Sequence, residues 1–278
     1  MVFKEFLSGK TLMNQNDLEH LKKWFADYVA GFYTDNPTDN ITIRLKEKHT
    51  ERVCENMTLL GKALGLSDEE MVLTETMALF HDVGRFKQYA IYGTFKDVDS
   101  ENHALLGLRE LLAHNVLDVC TKDEKKCITK AIANHNAIKI PKKENGKSLF
   151  YIRLLRDADK LDIWRVFIDY YSTRDKKPNP VVEFGLPDDP SFSPQVLSAL
   201  SEERFVRFQD LRTVNDFKLL LLSWVFDLNF AYSIQMVKDR RYIEKIGAIL
   251  PCSKETEAAV NHVHDFVNRN LSNQSCVC

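Results

Sequence analysis

The run Met77-Ala78-Leu79-Phe80 ends abruptly in the adjacent pair His81-Asp82, followed by Val83-Gly84-Arg85-Phe86. Apolar residues continue back through Leu73 and Met71 at roughly helical intervals, and Gly84 is placed to let the chain leave that helix in a left-handed conformation. A core-facing helix thus delivers an imidazole and a carboxylate to its end, and a buried carboxylate without a partner is costly. Successive helical side chains diverge by about 100°, so both groups reach one polar centre only at the rim of a cavity, or by holding two metals that share it. Any fold for this chain must bring compensating polar groups to that helix end. His49, His103, His135 and Asp159 are the candidates, each in a segment that also reads as helix.

Glycine (10) and proline (8) are scarce for 278 residues, while leucine, lysine, glutamate and alanine are plentiful, which favours an all-α chain. The 38 basic and 40 acidic residues leave a formal charge of -2, so no nucleic-acid polymer is expected as a partner. No basic-then-apolar leader is apparent, and the longest apolar run, Leu219 to Phe226, meets Asp227 well short of the roughly 20 residues a span needs; no membrane association and a cytoplasmic location are expected. The six cysteines show no C-x-x-C and no zinc-type clustering. Cys54 and Cys120 read as reduced core thiols, and the Cys276-Val-Cys278 tail as a frayed terminus.

In chain order, Asn16 to Phe32 carries a helical stripe capped by Asn16 or Asp17, and a second helix is expected from about Asn40 to Leu64 with His49 on its buried side and Arg52 three residues on. Ser67 and Glu70 have the spacing of a capping box for the helix that ends in His81-Asp82. Arg85 to Asp99 reads as an ordered loop over the site, whose Phe86, Tyr89, Tyr92 and Phe95 suit either stacking on a base or plugging a lid. Ser100 is expected to cap a helix from Glu101 to Leu112 that holds His103 in its first turn, with Gly107 allowing another helix to approach closely. Asp123 to Asn136 delivers His135, and Leu149 to Tyr171 places Asp159 in a core-facing slot with Asp157 turned to solvent. Thr173 to Pro194 reads as a loop, and helices follow over Pro194 to Phe205, Val214 to Phe230, Ala231 to Leu250 and Glu255 to Asn270. The expectation is one helical domain over 1–278, with the polar positions in about 40–170, a loop at about 173–194 and a helical extension over 195–278.

Four imidazoles and two carboxylates suit a pair of first-row transition ions bridged by one carboxylate and water, about 3.5–4 Å apart. Lys48-His49-Thr50, His81-Asp82-Val83-Gly84-Arg85 and Arg156-Asp157-Ala158-Asp159-Lys160 together resemble the signature of the HD-domain superfamily of metal-dependent phosphohydrolases. The extra histidines in Asn102-His103-Ala104 and Asn134-His135-Asn136 resemble its six-ligand, binuclear branch. That resemblance implies a single helical HD-domain-like bundle with a C-terminal helical extension, and one or two divalent metals, iron or manganese, with magnesium, nickel or cobalt also admissible. It implies that His49, His81, Asp82 and Asp159 hold one metal and Asp82, His103 and His135 the second, with Asp82 bridging. The cyclic-dinucleotide branch carries a Gly-Tyr-Pro element after its last histidine; Asn136-Ala137-Ile138 lacks it.

The expected chemistry is hydrolysis of a phosphate ester of a small nucleotide or phosphorylated metabolite by metal-activated water, with Arg85, Lys160 and Arg52 as cations for the charge that develops on the equatorial phosphoryl oxygens. The same six-ligand set also resembles that of HD-like mixed-valence di-iron oxygenases, and a noncatalytic metal-containing binding protein would share it. His20, His114, His262 and the His264-Asp265 pair read as surface or structural positions.

Overall fold

The computed structural model describes residues 11–173 and 183–275; the loop prolines Pro178 and Pro180 and the Cys276 and Cys278 tail lie outside the described residues. Among the described residues every regular element is helical, as the composition requires. The chain divides into two compact units, Met1–Leu155 and Arg156–Cys278.

The first unit contains α1 (Gln15–Ala30), α2 (Pro37–Ala63), α3 (Asp68–Phe80), α4 (Val83–Tyr92), α5 (His103–Ala113), α6 (Lys122–Asn134) and the start of α7 (Gly146–Thr173). Five of them begin where a side chain satisfies the free amides: Asn14 for α1, Asn36 ahead of Pro37 for α2, the Ser67/Glu70 box for α3, Asn102 for α5 and the Thr121/Glu124 box for α6. α3 is buried from Val72 to Phe80 with one gap, at Glu75, so it has no solvent face and serves as the axis of this unit. α1, α2 and α6 pack against it, through residues such as Leu18, Phe25, Val53, Met57, Leu60, Ile128 and Ile132, and its last turn leaves His81 with no exposed surface.

Three local expectations are corrected here. Gly84 does not release the chain in a left-handed turn: α3 stops at Phe80, His81 and Asp82 form the turn, and Gly84 lies inside α4 with no positive φ. The left-handed glycine is Gly93, φ 64°, at the end of α4. Gly84 is instead needed for space, because a Cβ there would lie 2.5 Å from the Gly107 amide nitrogen and 3.0 Å from its Cα. Gly107 does allow the close helix approach its sequence position suggested, and the helix that approaches is α4. The expected loop over Arg85–Asp99 accordingly contains this helix, and α5 is capped by Asn102 rather than Ser100.

The second unit contains the rest of α7, α8 (Pro194–Ser201), α9 (Val214–Ser223), α10 (Ala231–Asp239), α11 (Tyr242–Ala248) and α12 (Lys254–Ser275). All ten residues of α9 are buried, so the apolar run Leu219–Leu222 is a core helix, and no described helix is long and apolar enough to cross a membrane. Its N-terminus is secured by Asp216, which accepts from Ser193 N and Oγ, Arg212 N and Thr213 N. The expected helix Ala231 to Leu250 is broken at Arg241, φ 55°. Asp157, expected to face solvent, is fully buried and accepts from Asn229 N at 2.9 Å, Asn229 Nδ2 at 2.8 Å and Phe230 N at 3.1 Å, which anchors the entry to α10. Burial pushes its carboxyl above the ordinary value.

Candidate active site

Five of the six expected ligands converge in the first unit, brought by the ends or inner faces of four helices. His49 lies mid-way along α2, His81 and Asp82 in the turn after α3, His103 at the start of α5 and His135 just past α6; all five are buried. Asp82 sits between two pairs of imidazoles. Its Oδ2 lies 3.6 Å from His49 Nε2 and 3.8 Å from His81 Nε2, and its Oδ1 lies 3.3 Å from His103 Nε2 and 3.7 Å from His135 Nε2. Within the pairs the Nε2 atoms face one another, at 3.2 Å for His49 and His81 and 3.0 Å for His103 and His135.

The other ring nitrogens identify the tautomers. His81 Nδ1 lies 2.7 Å from Ala78 O, and His135 Nδ1 lies 2.7 Å from Ile132 O; a carbonyl only accepts, so both Nδ1 atoms carry hydrogen, which leaves Nε2 the lone pair whenever the ring is neutral. His103 Nδ1 donates to Asp97 Oδ2 at 2.8 Å. Burial and the Arg85 charge lower the His103 pKa to about 3, so this imidazole is neutral and its Nε2 too presents a lone pair. The Nε2 atoms of His103 and His135 face each other across 3.0 Å, beside a carboxylate oxygen. Such a convergence of nitrogen and oxygen donors is complementary to a cation. Donation of each distal N–H to a carbonyl or carboxylate is how metal-binding histidines are oriented, and Asp82, His103 and His135 place one donor atom each within 4.8 Å of one another.

The cations at the site are Lys46 and Arg85. Lys46 Nζ lies 2.9 Å from Asp82 Oδ2, and Arg85 Nε lies 3.5 Å from Asp82 Oδ1. Burial alone would raise the Asp82 carboxyl; Lys46, His81, the His135 hydrogen bond and Arg85 outweigh it and hold the group ionised, well below the usual range. Arg85 also donates to Gln88 Oε1 at 2.8 Å, to Asp97 Oδ1 at 3.0 Å and to Phe95 O. Asp97 gathers His103, Arg85, Gln88 and Asn136, and although burial raises its pKa these partners bring it down to about 2. Phe95 roofs both cations, its ring centroid 5.3 Å from Lys46 Nζ and 5.9 Å from Arg85 Cζ. Phe86 has no exposed surface and packs on Phe25 and Phe32, so it belongs to the core.

The other three expected residues are Asp159, Arg52 and Lys160. Asp159 lies half-buried on α7, one turn past Leu155. Arg52 is half-buried on α2. Lys160 is buried in the second unit, where its Nζ donates to Asp227 Oδ2 at 2.6 Å beside Arg156, whose Nη2 donates to the same oxygen at 2.9 Å. Sequence reasoning missed Lys46 and Asp97. Lys46 precedes His49 by the same three residues by which Arg52 follows it, and spacing does not choose between them. Asp97 lies in an irregular polar segment, where its one signal was the pairing of a carboxylate with a nearby candidate histidine.

The family model of the SidE phosphodiesterase (PDE) domain matches residues 33–238. This chain belongs to that family. No curated protein and no solved structure matches it. The match corrects the resemblance to the HD-domain superfamily: the His, His-Asp and Asp pattern is carried here by a SidE phosphodiesterase domain. That signature is a handful of single residues and one dipeptide, which any helical core that gathers imidazoles around a carboxylate will satisfy. The supporting detail also differs, since Gly84 packs α4 on α5 and does not terminate the His-Asp helix. The oxygenase alternative rested on the same resemblance and falls with it. The family name supports a phosphodiesterase, which is the coarser part of the chemistry expected from sequence.

Proposed function

We propose that the cluster around Asp82 is a phosphodiester-cleaving centre that works with one or two divalent first-row transition ions. The observation that supports the ions most directly is the convergence of His103, His135 and Asp82, whose donor atoms lie within 4.8 Å of one another, with the two Nε2 atoms 3.0 Å apart. His103 and His135 with Asp82 Oδ1 would form one donor set. His49 and His81 with Asp82 Oδ2 would form the other, completed by Asp159, which continues the Ile152 and Leu155 face of α7. When bound, such ions polarise phosphoryl oxygens and lower the pKa of a coordinated water.

The chain's own residues supply the surroundings. The carbonyls of Ala78 and Ile132 and the Asp97 carboxylate fix three imidazole planes, so little reorganisation is needed as charge develops. Lys46, 18% exposed and with Asp82 as its carboxylate, is the cation best placed to meet an anionic diester. Arg85 is engaged by Asp82, Asp97, Gln88 and Phe95, and its role is to hold the two carboxylates as well as to add positive charge. Arg52 remains a candidate for the phosphoryl oxygens, and Lys160 would have to leave Asp227 to join it. The nearly balanced charge, 38 basic against 40 acidic residues, suits a small phosphorylated substrate better than a polymer.

The test is turnover of bis(4-nitrophenyl) phosphate, a diester, and of 4-nitrophenyl phosphate, a monoester, with added manganese or iron. Diester release that falls at least 100-fold in His103→Ala supports the reading. Release that His103→Ala leaves unchanged refutes it, and bound metal without release from any diester would favour a noncatalytic metal protein.

A further inference from the structure

Away from the imidazole cluster, the first unit carries an open groove of about 670 Å³ between α1 and α2, floored by the end of α3. Both flanking helices pack on α3. The floor and inner walls are apolar, from Phe25, Leu79 and the half-exposed Leu59. Along the α2 wall stand Glu47, Glu51 and Glu55, spaced four residues apart on one face, with Glu75 on the α3 side. Like charges at that spacing repel one another within a helix. One cation lines the groove, Lys22, and it is already held by Glu75 at 2.7 Å and Glu19 at 3.2 Å. Glu51 pairs with Lys48 in an exposed contact at 2.7 Å.

A second observation points to an occupant. Thr50 lines the groove with 1% of its surface exposed, and its Oγ1 is buried without a hydrogen-bond partner. A buried hydroxyl left unmet is destabilising, and such groups are uncommon in folded proteins. The groove thus presents an apolar floor, an acidic wall and an unmet hydroxyl along the twelve residues from Glu47 to Thr58, a length of roughly 16 Å or three helical turns. Helix-in-groove recognition uses that combination, with apolar anchors below and charge at the rim.

We propose that this groove docks a basic amphipathic helix of a protein partner, its leucine-sized residues over Phe25, Leu59 and Leu79 and its lysines or arginines against Glu47, Glu51 and Glu55. The same carboxylates would repel an anionic membrane surface, and the apolar floor would be wasted on a small polyvalent cation. The inference does not depend on the phosphodiesterase reading. α2 presents Thr50 and Glu51 to the groove and His49 to the imidazole cluster, so the docked partner would lie one helix away from the chemistry.

The experiment uses the full chain and two fluorescein-labelled 14-residue peptides, one of alternating helical leucine and lysine faces and one with glutamate in place of lysine. Fluorescence anisotropy should show the lysine peptide binding at least tenfold more tightly than the glutamate peptide. Glu51→Lys with Glu55→Lys should weaken it at least tenfold, whereas Glu255→Lys with Glu257→Lys on the surface of α12 should change it less than twofold. Leu59→Asp, a single change at an exposed rim position, should also weaken it at least tenfold and serves if the double variant is unstable. Equal binding of the two peptides, equal binding by the groove and α12 variants, or full competition by spermine at the peptide's own concentration would overturn the proposal.

Discussion

Replacing Gly84 with alanine puts a methyl group in place of a hydrogen where two helices touch through their backbones. The new Cβ would lie 2.5 Å from Gly107 N and 3.0 Å from Gly107 Cα, with the His103 carbonyl oxygen closer still. Ordinary contact begins near 3.4 Å, so α4 and α5 must part by about 1 Å, and neither neighbour is a side chain that can swing away. Overpacking typically costs 1–3 kcal/mol, and a backbone-to-backbone clash belongs at the top of that range. About 3 kcal/mol corresponds to a fall in Tm of roughly 6–12 °C for a chain of this size. The same displacement acts on the site, because α4 follows directly on Asp82 and α5 begins with His103. Opening the 3.3 Å contact between Asp82 Oδ1 and His103 Nε2 by about 1 Å should cost on the order of 100-fold in turnover. Differential scanning calorimetry and diester turnover read the two effects, with Gly93→Ala as control, since nothing lies within 4 Å of a Cβ there and only its φ of +64° is strained. A Gly84→Ala protein that melts within 1 °C of wild type and keeps full activity would refute the packing argument and the claim that it spaces the site.

Asp97→Asn keeps the shape but removes the charge that orients His103, so metal affinity or diester turnover should fall 10–100-fold while Tm changes little; an unchanged affinity and rate would show that the Asp97–His103 contact is incidental. Burial, aided by Glu75, pushes the Cys54 thiol to about 12, so at pH 8 only on the order of one in ten thousand is thiolate, and iodoacetamide should modify exposed Cys252 long before Cys54; peptide mapping that finds Cys54 modified first would contradict this. Asp157→Ala leaves three donors at the entry to α10 without their acceptor and should cost about 3 kcal/mol in urea unfolding, and a loss under 1 kcal/mol would show that α10 does not need the anchor.

Much of this fold was legible because its helices announce their own boundaries. The Ser67/Glu70 box and the helix period beyond it identify α3, and the uninterrupted apolar run in α9 identifies a buried helix rather than a membrane span. Legibility failed where the local signal was ambiguous. Gly84 has two possible uses, left-handed turn or close packing, and only the position of Gly107 on a distant stretch decides between them. The break between α10 and α11 falls at Arg240-Arg241, with neither glycine nor proline to mark it. At the site, residue types with strong chemical preferences stood out, so His49, His81, Asp82, His103 and His135 could be picked from a single chain. Lys46 and Asp97 could not, because lysine and aspartate are common and their assignment depends on which turn faces the imidazoles. The family itself was misread for a related reason: ligand types report the chemistry of a centre more directly than the ancestry of the scaffold.

The most direct test of the central claim is metal analysis of the full chain purified without oxygen, before and after the Asp82→Ala substitution, with diester turnover measured on both preparations. The arrangement of four imidazoles about one bridging carboxylate predicts bound transition metal and diesterase activity in the wild type, and loss of both in Asp82→Ala. Diesterase activity that persists after complete removal of metal by a chelator, or in Asp82→Ala, would contradict a metal centre organised on Asp82.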